Sequence, residues 1–135
     1  MYLADFFKKQ KINRDPILLD ELDKLKKLRN KISAVITTNY DTFLEEHVFS
    51  NDFKVFVRQH ELFSADSYDI AEIYKIHGSA TDAESIIITQ SDYVQFKESR
   101  KLIIAKMLTL FAEAPIIFMG YSFTDDDVRE IIEEF

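Results

Sequence analysis

Cysteine is missing from this chain altogether, which excludes disulfides, a thiolate zinc ribbon and a cysteine nucleophile. Glycine is nearly missing: Gly78 and Gly120 are the only two, so there is no glycine-rich loop to cradle a phosphate. No serine stands in a Gly-x-Ser-x-Gly elbow, and paired glycosidase acids are not identifiable. No apolar run approaches the roughly 18 residues of a spanning helix, and nothing resembles a secretory leader. A cytoplasmic protein without a membrane partner is the expectation. Positive charge is short as well, with 17 basic against 24 acidic side chains and a net charge of −7. The basic residues gather mainly at Lys24, Lys26, Lys27, Arg29 and Lys31, near the end of one predicted helix whose dipole they complement. A duplex needs many phosphate contacts, so nucleic acid is not an expected partner.

What is present suffices for one domain: 135 residues, 47% of them hydrophobic, can bury a core. Residues 1–10 carry Tyr2, Leu3, Phe6 and Phe7 at helical spacing. Asp15-Pro16 is a helix start, with Asp15 as cap and Pro16 at the first helical position. Leu18, Leu22, Leu25 and Leu28 continue one apolar face up to Asn30. Residues 32–36 then form an apolar, partly β-branched run with the character of a strand buried on both faces. Thr42-Phe43-Leu44-Glu45 has capping-box spacing and predicts a short helix through His47. Phe53 to Val57 reads as a strand, Gln59 to Ala71 as a loop, and Glu72 to His77 as a strand ending at Gly78-Ser79. Ser85 to Thr89 reads as a further strand, suggesting a hairpin with the one before. Ser91 caps a turn into Tyr93 and Phe96, and Ser99 starts a longer helix with Ile103, Met107, Leu110, Phe111 and Ala114 on one face. Pro115 ends it. The apolar run Ile116 to Met119 is closed by Gly120-Tyr121-Ser122, and Thr124-Asp125-Asp126-Asp127 caps a last helix bearing Val128, Ile131, Ile132 and Phe135. This alternation predicts an α/β fold: a three-layer, Rossmann-like, mostly parallel sheet with helices on both faces.

Three polar clusters follow predicted strands: Thr38-Asn39-Tyr40-Asp41, His77-Gly78-Ser79 and Gly120-Tyr121-Ser122. On parallel strands all three would line one edge, where open α/β sheets bind ligands. A histidine there can take a proton near neutral pH, and Gly120 lets a ligand approach backbone N–H groups. Taken singly, plainer roles are favoured: Asn39 suits a turn, Asp41 a helix cap, Gly120 a backbone requirement. His47 and His60 end no strand and have no second ligand at metal spacing. For Asp125, Asp126 and Asp127, capping ranks above metal binding.

In this order, the clusters resemble the sirtuin-like NAD-binding fold. Thr37-Thr38-Asn39-Tyr40-Asp41 is similar to the family's Thr-Gln-Asn-x-Asp, with Thr38 where many relatives have Gln. Ile76-His77-Gly78-Ser79 is similar to Leu-His-Gly-Ser, and Gly120-Tyr121-Ser122-Phe123 to Gly-Thr-Ser-Leu. The spelling Thr-Asn-Tyr-Asp with Gly-Tyr-Ser-Phe-x-Asp is closer to the bacterial sirtuin-like branch associated with NAD hydrolysis in antiphage defence. The resemblance implies Asn39 as the active-site asparagine that positions water and ribose, and His77 as the catalytic histidine. It implies Asp41 as the acid near the nicotinamide pocket, and Gly120 and Ser122 as contacts to the adenosine side. Thr37, Thr38, Gly78 and Tyr121 would complete an NAD-binding set, with no metal. Cleavage of the nicotinamide–ribose bond passes through an oxocarbenium-like state and nicotinamide leaves neutral. A pocket that holds the ribose and places a water is therefore enough.

The leading expectation is thus an NAD hydrolase producing nicotinamide and ADP-ribose. The sirtuin deacylases carry a four-cysteine zinc module that this sequence lacks, which ranks protein deacylation last. The family's Gly-Ala-Gly-x-Ser loop and its preceding strand are also not in these residues. The chain is therefore expected to be the carboxyl portion of one sirtuin-like domain over residues 1–135, incomplete at both ends. Its expected partners are NAD or ADP-ribose, and a second copy or an amino-terminal segment from another chain. A catalytically silent module for oligomerisation or partner binding is the competing reading.

Overall fold

In a computed structural model of the chain, described over residues 2–9, 15–64, 71–124 and 126–133, three short strands form one parallel sheet. They are β1 (Ala34–Thr37), β2 (Lys54–Phe56) and β3 (Glu72–Lys75), in the order β1-β3-β2. Four α-helices accompany them: α1 (Tyr2–Lys8), α2 (Pro16–Lys27), α3 (Gln90–Glu113) and α4 (Asp126–Glu133). The register aligns Val35, Ile73 and Val55 in one row and Ile36, Tyr74 and Phe56 in the next. Successive side chains of a strand point to opposite faces, so each row serves a different layer. The Val35 row packs with Leu22 of α2, Val48, Phe49 and Phe53. The Ile36 row packs with Ile103, Met107 and Phe111 of α3 and with Val128 and Ile131 of α4. That is the three-layer α/β arrangement expected of this sequence. The two crossovers between strands run in opposite directions and lie on opposite faces, since Leu44 and Val48 join the first layer and Leu62 the second. One handedness of crossover requires this placement.

Helix α2 starts as its sequence dictates: Pro16 is the first helical residue, and Ile17 N donates to Asp15 Oδ1 at 2.9 Å. Elsewhere tertiary contacts override local signals. The opening strand is only half-buried, because β1 lies at the sheet edge with β3 on one side. The strand buried on both faces is β3, where Ile73, Tyr74 and Lys75 are all 0% exposed. The Thr42–Glu45 capping box does not form. A single π-helical turn, Leu44–Val48, follows Phe43, whose own side chain makes no cap, and Glu45 turns into the interior instead of back to its own backbone. Within the polar stretch after β2, Gln59–Ser64 winds into a 3₁₀ segment; residues 65–70 lie outside the described part.

Ser85 to Thr89 is not a strand, and no hairpin forms there among the described residues. Ala83–Ser85 is a 3₁₀ turn, and the segment after it is extended, with Ile87 N donating to His77 O at 2.9 Å. The Ile87 carbonyl accepts from the Tyr40 hydroxyl at 2.6 Å, a side-chain donor in place of a neighbouring strand. The two helical pieces expected around Ser91 and Ser99 are one helix of 24 residues. Its start is a capping box: Asp92 N donates to Thr89 Oγ1 at 3.2 Å, and Thr89 N to Asp92 Oδ2 at 2.8 Å. Replacing Thr89 with Ala is expected to lower stability by about 1 kcal/mol, measurable by urea denaturation.

The largest departure is Ile116 to Met119. This wholly apolar run is not a strand of the described sheet, and its side chains are exposed, Ile117 to 82%. Apolarity alone does not supply a pairing partner. The proposed cap of α4 falls on Asp125, outside the described residues, and on Asp126 and Asp127, whose side chains are also not described.

Candidate functional site

Parallel strands bring their carboxyl ends to one edge, so Thr37 at the end of β1 stands in register with Lys75 at the end of β3. The first two polar clusters therefore leave the sheet side by side, and hydrogen bonds tie them together. Ala80 N donates to Tyr40 O at 2.7 Å, and Ile76 N to Thr37 O at 3.1 Å. Thr37 also turns the chain, its Oγ1 accepting from Asn39 N at 3.1 Å. Tyr40 is an anchor: its hydroxyl reaches the Ile87 carbonyl, and its ring lies 5.3 Å from that of Phe7 on α1. With Tyr40 fixed from both sides, Thr38 is half-buried and Asn39 is presented to solvent. Asp41 caps the next turn, its Oδ1 accepting from Phe43 N at 3.0 Å, as the plainer sequence reading has it.

His77 is buried, with 3% of its surface exposed, and its ring stands edge-on to that of Tyr93 at 5.6 Å. Gly78 follows at φ +98°, and a Cβ there would sit 2.3 Å from the Ser85 carbonyl oxygen. Only glycine fits, for both conformation and space. Ser79 is fully buried; its N–H donates to Ser85 Oγ at 3.0 Å. This second cluster is a packed turn that carries His77 beneath the first.

The third cluster is a surface loop. Gly120 adopts φ +63° and is exposed. Ser122 Oγ pairs with Thr124 Oγ1 at 2.7 Å. Tyr121, half-buried, packs on the α3–α4 core and contacts Phe123 ring to ring at 4.9 Å. The structure thus joins Thr37, Thr38, Asn39 and Asp41 to His77 and Gly78. It attaches Gly120, Tyr121 and Ser122 to the domain through Tyr121.

Beneath the first cluster lies a buried charge pair that reading the sequence did not single out. Lys75 Nζ lies 2.8 Å from Glu45 Oε1, with the two side chains 0% and 8% exposed. The same ammonium donates to the Asp41 carbonyl. A lysine inside the apolar run Ile73-Tyr74-Lys75-Ile76 is the signal that points to it. Lys75 holds the loop bearing Asn39 and Asp41 down onto the central strand.

A second ion pair closes the same edge at β2. Arg58 grips Asp82 with Nε at 2.5 Å from Oδ2 and Nη2 at 2.9 Å from Oδ1. The guanidinium beside it holds the Asp82 carboxyl below its ordinary range, with hydrogen bonds from Glu84 and Ser85 N–H groups acting the same way. A carboxyl with a lowered folded-state pKa contributes full stability above the ordinary value near 4 and loses it as pH falls through the folded value. Asp82→Asn is therefore expected to cost up to about 1 kcal/mol at neutral pH, limited by solvent screening of a part-exposed pair. It should also flatten the acid limb of stability against pH, which thermal melts from pH 7 to pH 2 would measure.

Residues 33–135 match the family described as SIR2-like domain, and the chain belongs to that family. Among characterised relatives, the NAD(+) hydrolase ThsA of Cytobacillus dafuensis is 26% identical over 103 residues, covering 75% of this chain and 21% of that protein. The NAD(+) hydrolase ThsA of Acinetobacter baumannii is 31% identical over 109 residues, covering 75% and 21%. Defense-associated sirtuin 2 of Bacillus subtilis is 28% identical over 103 residues, covering 73% and 10%. The chain spans about a fifth of the length of the ThsA relatives, and a tenth of the third. Among the described residues, no helix is long and apolar enough to cross a membrane.

Proposed function

We propose that this domain takes NAD at the carboxyl edge of β1 and β3 and hydrolyses it to nicotinamide and ADP-ribose. The observation that carries the reading is the junction of the first two clusters. Two segments 40 residues apart are bonded backbone to backbone, between Ala80 and Tyr40, with Asn39 exposed beside them. Membership of the SIR2-like family and relatives named for NAD hydrolysis and for defence support it, and antiphage defence is the setting we infer.

Within this reading, Asn39 uses its amide to hold the ribose hydroxyls and orient the attacking water. Because nicotinamide leaves as a neutral molecule, no general acid is required. Positioning and polarisation provide the acceleration. His77, shielded from solvent, serves as a polar group near the ribose, and Asp41 borders the nicotinamide end. Gly120, Tyr121 and Ser122 serve the adenosine side. Asn39→Ala is expected to reduce nicotinamide release by about 100-fold or more, the scale seen when one transition-state hydrogen-bond partner is removed. Folding should be unaffected because the side chain is exposed. Chromatography of NAD incubations, with circular dichroism as the folding check, tests both points; undiminished release by the variant would remove Asn39 from the mechanism.

A second reading rests on its own observation. β1 is an edge strand, and the apolar residues Ile116 to Met119 are exposed. Exposed edges and apolar patches favour association. In this reading the domain is a catalytically silent module that pairs with another chain. A monomeric protein by light scattering would oppose it; an oligomer without NAD turnover would favour it.

A further inference from the structure

The end of β2 opens into a cleft of about 310 Å³ between the 3₁₀ segment Gln59–Ser64, residues 84–87 and the first turns of α3. It faces the same carboxyl edge of the sheet as the two joined clusters, but none of the residues given above as the NAD-binding set lines it. Its distinctive group is Arg100. This side chain is 96% buried, spends one nitrogen on the Ser85 carbonyl at 3.1 Å, and keeps Nη1 buried with no hydrogen-bond partner among the described residues.

A guanidinium does not escape burial by losing its proton in the accessible pH range. An uncompensated buried cation is costly unless something pairs with it. Arg58 does not relieve it, since its fork is filled by Asp82 and it repels Arg100 as a second cation. Among the described residues no carboxylate forms an ion pair with Arg100. The carboxylates that act on Arg100 from a distance are Glu61 and Asp82, but Glu61 accepts from the Val57 and Arg58 N–H groups and Asp82 is held by Arg58. Of the acids that border the cleft, Asp92 is committed to the cap of α3 and the Glu84 side chain is 91% exposed. The remaining walls supply Gln95, Ser99 and the apolar Ile87.

We propose that this cleft is a second binding site, for a small metabolite bearing a carboxylate or phosphate group that pairs with Arg100 Nη1. Arg presents planar paired donors that suit either anion, and the volume matches the lower range of small-molecule pockets. Ile87 forms one wall and is also the residue whose backbone accepts from Tyr40 and donates to His77. An occupant would therefore touch the segment that braces both clusters. The inference stands on the cleft itself, and its test does not read NAD turnover.

The test titrates the protein with inorganic phosphate and, separately, with succinate, against chloride at equal ionic strength, following backbone amide resonances. Saturable shifts centred on Gln59, Ile86, Ile87, Ser99 and Arg100 with either anion are expected. The anion that produces them identifies the group recognised. Arg100→Gln is expected to weaken that binding at least tenfold, while Lys101→Gln on the neighbouring exposed position leaves it unchanged. Absence of shifts with both anions, shifts centred elsewhere, or equal binding by Arg100→Gln would overturn the proposal. Should Arg100→Gln fail to fold, the location of the shifts in the unaltered protein decides alone.

Discussion

Lys75→Met is expected to destabilise the domain by about 3–5 kcal/mol, a large part of the roughly 5–15 kcal/mol that holds a typical domain together. Methionine is close to lysine in length and apolar, so the loss does not come from a cavity. It comes from Glu45, whose carboxylate stays buried with its cation gone, and from the Asp41 carbonyl, which loses the donor that ties it to the central strand. The buried pair itself need not contribute net stability, because desolvation of both charges offsets their attraction. The combined variant Lys75→Met with Glu45→Leu is therefore expected to recover most of the loss. Urea denaturation of the single variants and the pair, read as a double-mutant cycle, measures this. A Lys75→Met protein as stable as the parent would show that Lys75 is not paired in the interior.

Gly78→Ala is expected to cost well over 2 kcal/mol and to disturb the site directly. Two penalties coincide there. A side chain at φ +98° is strained, by an amount on the order of 1–3 kcal/mol, and the added Cβ would lie 2.3 Å from Ser85 O and 2.7 Å from Ile86 Cα. Both obstacles are backbone, so the segment after Ser85 has to move, and with it the bond from Ile87 to the His77 carbonyl. Gly120→Ala provides the comparison. Its φ of +63° is also left-handed, but the new Cβ would meet nothing within 4 Å, so a loss of only about 1 kcal/mol is expected. Thermal melts of the two alanine variants separate crowding from conformation; equal losses would contradict the packed turn at Gly78.

The parts of this fold that were legible in the sequence are those decided within a few residues. Asp15 and Pro16 start a helix by local chemistry. The spacing of Ile103, Met107 and Phe111 puts one stripe of α3 on the core. The end of β1 breaks into Thr37, Thr38 and Asn39 because a strand and a turn differ in their side chains. The meeting of that turn with His77-Gly78 was legible too, since parallel strands leave at one edge. What was hidden depends on partners distant in the chain. Nothing near Lys75 reveals that Glu45, 30 residues earlier, neutralises it. Arg100 precedes Ile103 on the buried stripe of α3, yet an arginine on a helix ordinarily reads as solvated. Ser91 and Ser99 looked like helix starts because serine favours caps, but a longer helix absorbs both once Thr89 and Asp92 close the capping box. Ile116 to Met119 looked like a core strand because apolarity signals a tendency to be buried, while strand formation also needs a neighbour to pair with.

NAD hydrolysis at the edge formed by Asn39 and His77 is directly measurable. The protein and its Asn39→Ala variant would be incubated with NAD while free nicotinamide is followed by proton NMR. Nicotinamide and ADP-ribose are expected in equal amounts from the parent, with a rate lower by about 100-fold or more from the variant. No nicotinamide from the folded parent, or equal rates from the two proteins, would contradict it.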